Sequence, residues 1–299
     1  MLTIDRKHVG FAFDPAQPPA AEAASGETVR FLCRDCYDGQ LTEDGMDFAR
    51  MDMSRGNPVT GPLYIRDAKP GDALRIEILA IEPDDHGVMC IRTGSGIYEV
   101  TGCHCRRFPI RDGVVFFDQG LRIPLRPMIG VIGTAPAEPT DTHTPGEHGG
   151  NMDIRELGAG SVLYLPVSVP GALLSLGDLH GLQGDGETAI CGLEMAGAVI
   201  LRASVIPGGA GLPTPFLVTD RAVYTTAAAE SLDECSVTAA RKMHRFLSER
   251  LDLTDAQAAM LLSLRGDLRI AQVVNPKKGC MMELPRSLVT ELSGEKDCF

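Results

Sequence analysis

The chain predicts a mainly β protein: a β-sandwich or jelly-roll-like core, followed by a C-terminal αα-hairpin and a mixed α+β segment. Three observations carry this. Short apolar runs (VMCIRT, GIYEV, VVFF, LRIPL) follow one another between residues 86 and 125. Turn signals separate them about every ten residues, the spacing of a sandwich and not of βαβ units. In ALRIEILAIE (73–82), Leu74, Ile76, Ile78 and Ala80 alternate with Arg75, Glu77 and Leu79, the period of a half-buried strand. Helix-start signals appear only after residue 230.

The 299 residues, 44% of them hydrophobic, suffice for one large or two smaller domains. We divide them into a core over 1–220, which carries the site, and a segment over 221–299 packed on it as one structural unit. A net charge of -12 disfavours nucleic acid and anionic membranes as partners, since both need a basic patch that replaces counterions. The N-terminal MLTIDRKHVGFAFDP lacks the basic-then-apolar pattern of a signal peptide, and no apolar stretch approaches the roughly 18 to 20 residues of a membrane span. A cytoplasmic protein is expected. Nine cysteines in such a chain point to reduced thiols and not to a disulfide framework. Cys33-x-x-Cys36 and Cys103-His104-Cys105 offer soft ligands for a structural zinc site, but Cys33 and Cys105 lie in strand-like runs, where a buried free Cys serves as a small apolar residue.

Taken in order, residues 27–45 read as a strand running into an acidic loop, and GNPVTGPLYIRDAKPGD (56–72) as a turn-rich segment. RPMIGVIGTAP (126–136) contains a buried strand ending in small residues. The loop AEPTDTHTPGEHGGNMD (137–153) is long enough to expect a function. SVLYLPVSV (161–169) and ALLSL (172–176) read as strands joined by a tight turn, with Pro166 at an edge or bulge. EMAGAVILRASV (194–205) is a further strand. Ser231-x-x-Glu234 opens a helix reaching about Leu251, and Thr254-x-x-Gln257 opens a second that Gly266 closes. Leu268–Val274 reads as a strand stopped by Asn275-Pro276, and SGEKDCF as a loose tail.

Residues 147–194 hold the chemistry. The second strand of the pair runs into Gly177-Asp178-Leu179-His180, and strand alternation puts Asp178 and His180 on one face, where a carboxylate and an imidazole can share a divalent cation. The glycine-rich turn 183–187 brings Asp185 and Glu187 to the same end, and Asp153 enters from the HGGNMD loop. Asp185 between two glycines is equally a stock turn residue, and Asp153 equally a turn former or cap. Of the loop histidines, His148 beside Gly-Gly-Asn is a better ligand or proton shuttle than His143.

HGGNMD, the run GSVLYLPVSVPGALLSLGDLHGLQGDGE (160–187), GNPVTGPLYIRDAKPGD and RPMIGVIGTAP together resemble the acetamidase/formamidase family, in collinear order from about Arg30 to Pro276. The resemblance implies a metal-dependent hydrolase of small amides with a β-sandwich core and homo-oligomeric assembly, a dimer or a multiple of dimers. It also implies that the DCYDGQ run (35–40) lies near the site's mouth. The chain departs from the family in its middle region, with no Trp and only 5% aromatic residues, which leaves the substrate open among formamide, acetamide, a lactam and a urea derivative.

For amide hydrolysis the expected arrangement is Asp153, Asp178 and His180 holding a divalent cation, zinc or calcium foremost and manganese next. Glu187 then serves as the base that takes a proton from water and gives it to ammonia. Asp185 exchanges roles with Glu187 or serves a second ion, and Asn151 with the Gly149–Gly150 amides stabilises the oxyanion. Two alternatives remain at this stage: a nucleophilic Cys191, and a non-catalytic sandwich that binds a metal or a small ligand.

Overall fold

The computed structural model describes residues 1–294; of the expected tail, Ser293 ends a helix and Glu295 onward lies outside the described residues. Two large sheets face each other. One has nine strands, in the order Leu2–Ile4, Thr28–Cys33, Gly197–Ile206, Ala73–Pro83, Val162–Pro166, Phe216–Val218, Ala222–Ala229, Lys278–Pro285, Asp267–Gln272. The other has eleven, along a path from Arg122–Pro124 through Cys103–Arg111, His86–Arg92, Glu194–Met195, Leu174–His180 and Met128–Gly133 to Gly149–Asn151. Val59–Ile65 pairs with Leu174–His180 as well.

The expected alternation holds through Ile78; the register then shifts at a bulge opposite Ile200 and Leu201, so that Ile81 and not Ala80 packs against the core. Leu74, Ile76 and Ile78 are buried between the sheets with Phe31, Leu163, Leu176, Leu179 and Val199, while Arg75 and Glu77 pair with each other on the other face at 2.5 Å. That other face of the nine-stranded sheet is covered further along by helix Leu232–Arg250. Cys235, Ala239, Met243, Phe246 and Leu247 recur on it at helical spacing and pack on Tyr164, Phe216 and Val223. The strands Phe216–Val218 and Ala222–Ala229 are buried on both faces and accordingly carry no charged residue.

Both expected helix starts are present. Ser231 accepts from Glu234 N at 3.2 Å, and Thr254 and Gln257 form a reciprocal capping box at the head of Asp255–Arg265. Gly266 ends that helix in an extended conformation, φ -84°, not a left-handed one. Strand Lys278–Pro285 and helix Arg286–Ser293 carry no sequence signal recognised above; the helix has no side-chain cap at its start.

Three expectations need correction. The runs 161–169 and 172–176 do not form a hairpin, because Val162–Pro166 belongs to the nine-stranded sheet and Leu174–His180 to the eleven-stranded one. The turn between them crosses from layer to layer, through positive φ at Gly171, Ala172 and Leu173. Pro166 sits at the end of its strand opposite Ala73, where it interrupts no inner ladder bond. Not all thiols are reduced: Cys90 and Cys105, directly opposite on neighbouring strands, form a disulfide. Cys33 and Cys36 do not pair, since Cys33 donates to Leu176 O in the main core and Cys36 faces a different cluster.

Residues from 221 onward extend the nine-stranded sheet, because Phe216–Val218 pairs directly with Ala222–Ala229. Among the described residues no helix is long and apolar enough to cross a membrane.

Phe246 fills the centre of the helix-covered core, 1% exposed and 5.0 Å from the Phe216 ring. Phe246→Ala is expected to cost about 3 to 5 kcal/mol through lost burial and the cavity left. Thr254→Ala, which removes only the capping box, is expected to cost about 1 kcal/mol. Urea denaturation of both variants checks the contrast.

Candidate active site

The eleven-stranded sheet gathers five ionisable side chains at one point. Asp178 and His180 come from strand Leu174–His180, Glu194 from the strand paired with it, Asp153 from the segment after Gly149–Asn151, and Glu187 from the 181–193 loop. All five are between 1% and 7% exposed. Main-chain bonds fix the loop: Gly186 N donates to Ala271 O at 2.9 Å and accepts at its own oxygen from Val273 N at 3.0 Å, so Glu187 is hung on strand Asp267–Gln272 and its extension.

The backbone is left-handed at three of the carboxylates, with φ 48° at Asp153, 52° at Asp178 and 45° at Glu187. Non-glycine residues rarely adopt this region and do so at a cost of order 1 kcal/mol each, so three together mark a place where side-chain direction outweighs backbone comfort. Room is made opposite them. A Cβ at Gly130 would lie 2.6 Å from Asp153 Oδ1 and 2.7 Å from Asp178 Oδ2.

His180 is held in one orientation. Its Nδ1 lies 2.7 Å from Gln183 Oε1, which can only accept, while Gln183 Nε2 donates to Asp153 O at 2.6 Å. Nδ1 therefore carries a proton. The other nitrogen, Nε2, meets only carboxylates: Glu194 at 3.1 Å, Asp178 at 3.5 Å and Asp153 at 4.0 Å. His180 Nε2, Glu187 Oε2 and Glu194 Oε2 are buried without a hydrogen-bond partner. A proton on Nε2 would let it donate to Glu194 Oε2 at 3.1 Å, which still leaves Glu187 Oε2 without a partner in the cluster.

Asn151 and Asn275 bridge the aspartates. Asn275 Nδ2 donates to Asp153 Oδ2 at 2.6 Å. With its amide nitrogen turned to donate, Asn151 bonds Asp153 Oδ2 at 2.9 Å and Asp178 Oδ2 at 3.2 Å, and its oxygen accepts from Asn57 and Asn275.

The electrostatics follow from crowding and burial. Burial, and then the neighbouring Asp178, push the Asp153 carboxyl up to about 6; burial and Glu194 do the same to Asp178. Burial and Asp153 hold Glu187 well above the usual carboxylate range. At His180 burial works against the charge, yet Glu194 and Asp178 overcome it and raise the imidazole well above its ordinary value. The cluster thus resists carrying all its negative charge without a compensating cation.

The donor atoms fall into two sets, each within 4.8 Å: Asp153, His180 and Glu187, and Cys36, Asp178 and Glu194. Both border a cavity of about 280 Å³ lined by Cys36, Tyr37, Asn57, Asn151, Asp178 and Glu194, with Phe48, Arg92 and His143 also on its wall.

Asp153, Asp178, His180, Glu187 and Asn151 therefore converge, whereas two other expected residues stand apart. Asp185 is bound by Arg269, at 2.6 and 2.9 Å, and by Arg155, at 3.0 Å. His148 packs edge-on against Phe13 at 5.1 Å, and burial lowers its imidazole to about 4, so it stays neutral; His143 lines the cavity instead. Gly149 N–H donates to Gly146 O at 3.1 Å, and the amide of Asn151 lies against two carboxylates. Cys191 is buried, with a thiol pushed up to about 12 by burial and Glu194, the opposite of an activated nucleophile.

Sequence analysis gave no site role to Glu194, Asn57, Gln183 or Asn275, and offered Cys36 only as a soft zinc ligand beside Cys33. Glu194 and Gln183 lie within the 147–194 stretch that holds the chemistry, whereas Asn57 and Asn275 come from stretches that the sheets bring to it.

The Acetamidase/Formamidase family model matches residues 4–143 and 138–290. The structure superimposes on that of an acetamidase from Bacillus halodurans with a TM-score of 0.95 and 43% identity, covering 97% of this chain and 99% of that one. A predicted acetamidase/formamidase from Thermoanaerobacter tengcongensis gives 0.95 and 38%, covering 99% of each chain. A formamidase of Methylophilus methylotrophus is 27% identical over 259 residues, covering 65% of this chain and 63% of that protein. The curated relatives are thus matched over 63–65% of their own length.

Asp178→Asn removes one crowded carboxylate while keeping its shape. A carboxyl whose pKa rises from 3.8 unfolded to about 6 folded contributes stability fully present below 3.8 and lost as pH rises through 6. In protein stripped of cations by a chelator, the melting temperature of Asp178→Asn minus that of wild type is therefore expected to grow between pH 4 and 7. Thermal scans across that range check it.

Proposed function

From the premise that this chain belongs to the acetamidase/formamidase family, we propose that it is an amidohydrolase that splits a short-chain linear amide into a carboxylate and ammonia, using water activated at the buried carboxylate cluster and a divalent cation held there. The observation that carries the metal part is the buried donor set of His180 Nε2, Asp153 and Glu187, in which the Gln183 bond fixes the imidazole and the crowded carboxylates of the cluster outnumber the one group there that can carry a positive charge. A cation would satisfy that nitrogen and the partnerless oxygen of Glu187 together, and it would neutralise charges that burial disfavours.

Asp153, His180 and Glu187 would hold the ion, since they form the set that contains the imidazole. One nitrogen and two carboxylates suit zinc, while the surplus of oxygen donors also accommodates calcium. When bound, the ion supplies the Lewis acidity that polarises the amide carbonyl and lowers the pKa of a water to about 7. Gln183 keeps His180 in the tautomer that leaves Nε2 free to ligate. Asn151 and Asn275 hold the Asp153 carboxylate in place.

This assignment moves the general base from Glu187 to Glu194: both line the cavity and both have an Oε2 without a hydrogen-bond partner, but Glu194 lies outside the donor set that contains the imidazole. Glu194 takes the proton of the attacking water and returns it to the departing nitrogen, without which the amine does not leave. A cavity of about 280 Å³ fits a small acyl group.

Ammonia release from formamide, acetamide and propionamide, and ring opening of a γ-lactam to its amino acid, measured before and after chelation and with cation add-back, test the activity. Turnover that disappears with chelator and returns with one cation is expected; ammonia release untouched by chelation overturns the metal part. Glu187→Gln is expected to lose bound metal together with activity. Glu194→Gln is expected to keep the metal and lose 10²- to 10⁴-fold in kcat. Metal content by atomic emission separates the two, and the reverse pattern restores Glu187 as the base.

A further inference from the structure

A second cluster of metal-ligand type lies on the strand pair His86–Arg92 and Cys103–Arg111. Cys90 and Cys105 are opposite each other, with Cα atoms 4.1 Å apart. Cys103 is two residues from Cys105 and so shares its face. Its Sγ lies 3.8 Å from Cys90 Sγ and 3.7 Å from Cys105 Sγ. The three sulfurs border a small core with Cys36, Tyr37, Leu41, Met51 and Val88. Cys90 and Cys105 are fully buried and Cys103 is partly exposed, which gives the cluster one accessible side. His104, between two of them, points away and bonds Thr101 O at 2.9 Å.

The separations have a chemical meaning. Thiolates that hold a zinc-like cation at about 2.3 Å in tetrahedral geometry lie about 3.8 Å from one another. Two of the three sulfur pairs stand at that separation, and the third pair is joined as the disulfide. Sulfurs of one strand face, mostly buried and converging without any carboxylate in their set, make a soft donor group distinct from the oxygen-rich cluster.

We propose that Cys90, Cys103 and Cys105 form, once reduced, a trithiolate site for a thiophilic divalent cation of the zinc class, and that the Cys90–Cys105 disulfide is the ion-free oxidised state of the same site. Reduction needs two electrons from an external dithiol. Its two S–H groups become its own disulfide, and the Cys90–Cys105 bond becomes two thiols. Binding then forms three metal–sulfur bonds and releases the three thiol protons to solvent. The site rests on the sulfurs alone and stands or falls apart from the proposed amide hydrolysis.

The test is Co²⁺ titration of the full chain after dithiol reduction and anaerobic removal of the reductant. One equivalent is expected to produce a thiolate-to-metal charge-transfer band, with no band in protein left oxidised. Cys103→Ser, a near-isosteric change at a partly exposed position, is expected to weaken Co²⁺ binding at this site at least tenfold and to reduce the band. The zinc gained on reduction, compared by X-ray absorption with zinc-loaded protein left oxidised, gives an independent count, expected at three sulfurs near 2.3 Å. A reduced wild type without the band, zinc gained on reduction with fewer than two sulfurs, or an unchanged band in Cys103→Ser overturns the proposal. So does loss of the band in Cys36→Ser, which would place the thiolate in the carboxylate cluster.

Discussion

Packing four carboxylates and an imidazole into one buried cluster is the constraint on which the structure around the site depends. Each charge disfavours its neighbours of like sign, and burial disfavours all of them, so the arrangement persists only because the surrounding fold over-determines it. Two buried sheets supply that rigidity. The strand carrying Asp178 and His180 is buried along its whole length and bonded on one side to Met128–Gly133 and on the other to Glu194–Met195 and Val59–Ile65.

The backbone bears part of the strain. Left-handed φ at Asp153, Asp178 and Glu187 turns three side chains inward from three different elements, and Gly130 leaves the volume they converge on. Asn151 and Asn275 give those carboxylates uncharged donors, Asn57 donates in turn to Asn151, and Gln183 fixes the imidazole. A neutral amide shell orients ligands without competing for them as a guanidinium would. Asp185 makes the contrast: the same turn presents it two residues from Glu187, and Arg269 and Arg155 bind it away from the cluster.

Softness separates two kinds of chemistry on one sheet. Oxygen donors and one imidazole gather around strand Leu174–His180, while sulfur donors gather on the neighbouring hairpin. Cys36 touches both worlds, sharing a small core with Cys90 and Cys105 and a donor set with Asp178 and Glu194. Cys191 lies between them, its Sγ 4.0 Å from Cys90 O and its chain along the cavity wall.

The sequence by itself determined what depends on neighbours in the chain. Strand period in residues 73–82, both helix starts, and the Asp178–His180 face are local properties of backbone geometry, and Asp153 and Glu187 stood out because their glycine-rich contexts permit unusual turns. Family membership was equally legible, since its motifs are contiguous. What only the tertiary structure decided depends on pairing between distant strands. Glu194 joins His180 because two strands run antiparallel, Asn275 reaches Asp153 across more than a hundred residues, and Cys90 meets Cys105 through hairpin register. Asp185 and His148 had the right chemistry and the right neighbours in sequence; an arginine pair and a phenylalanine ring, both remote in the chain, settled that neither enters the cluster.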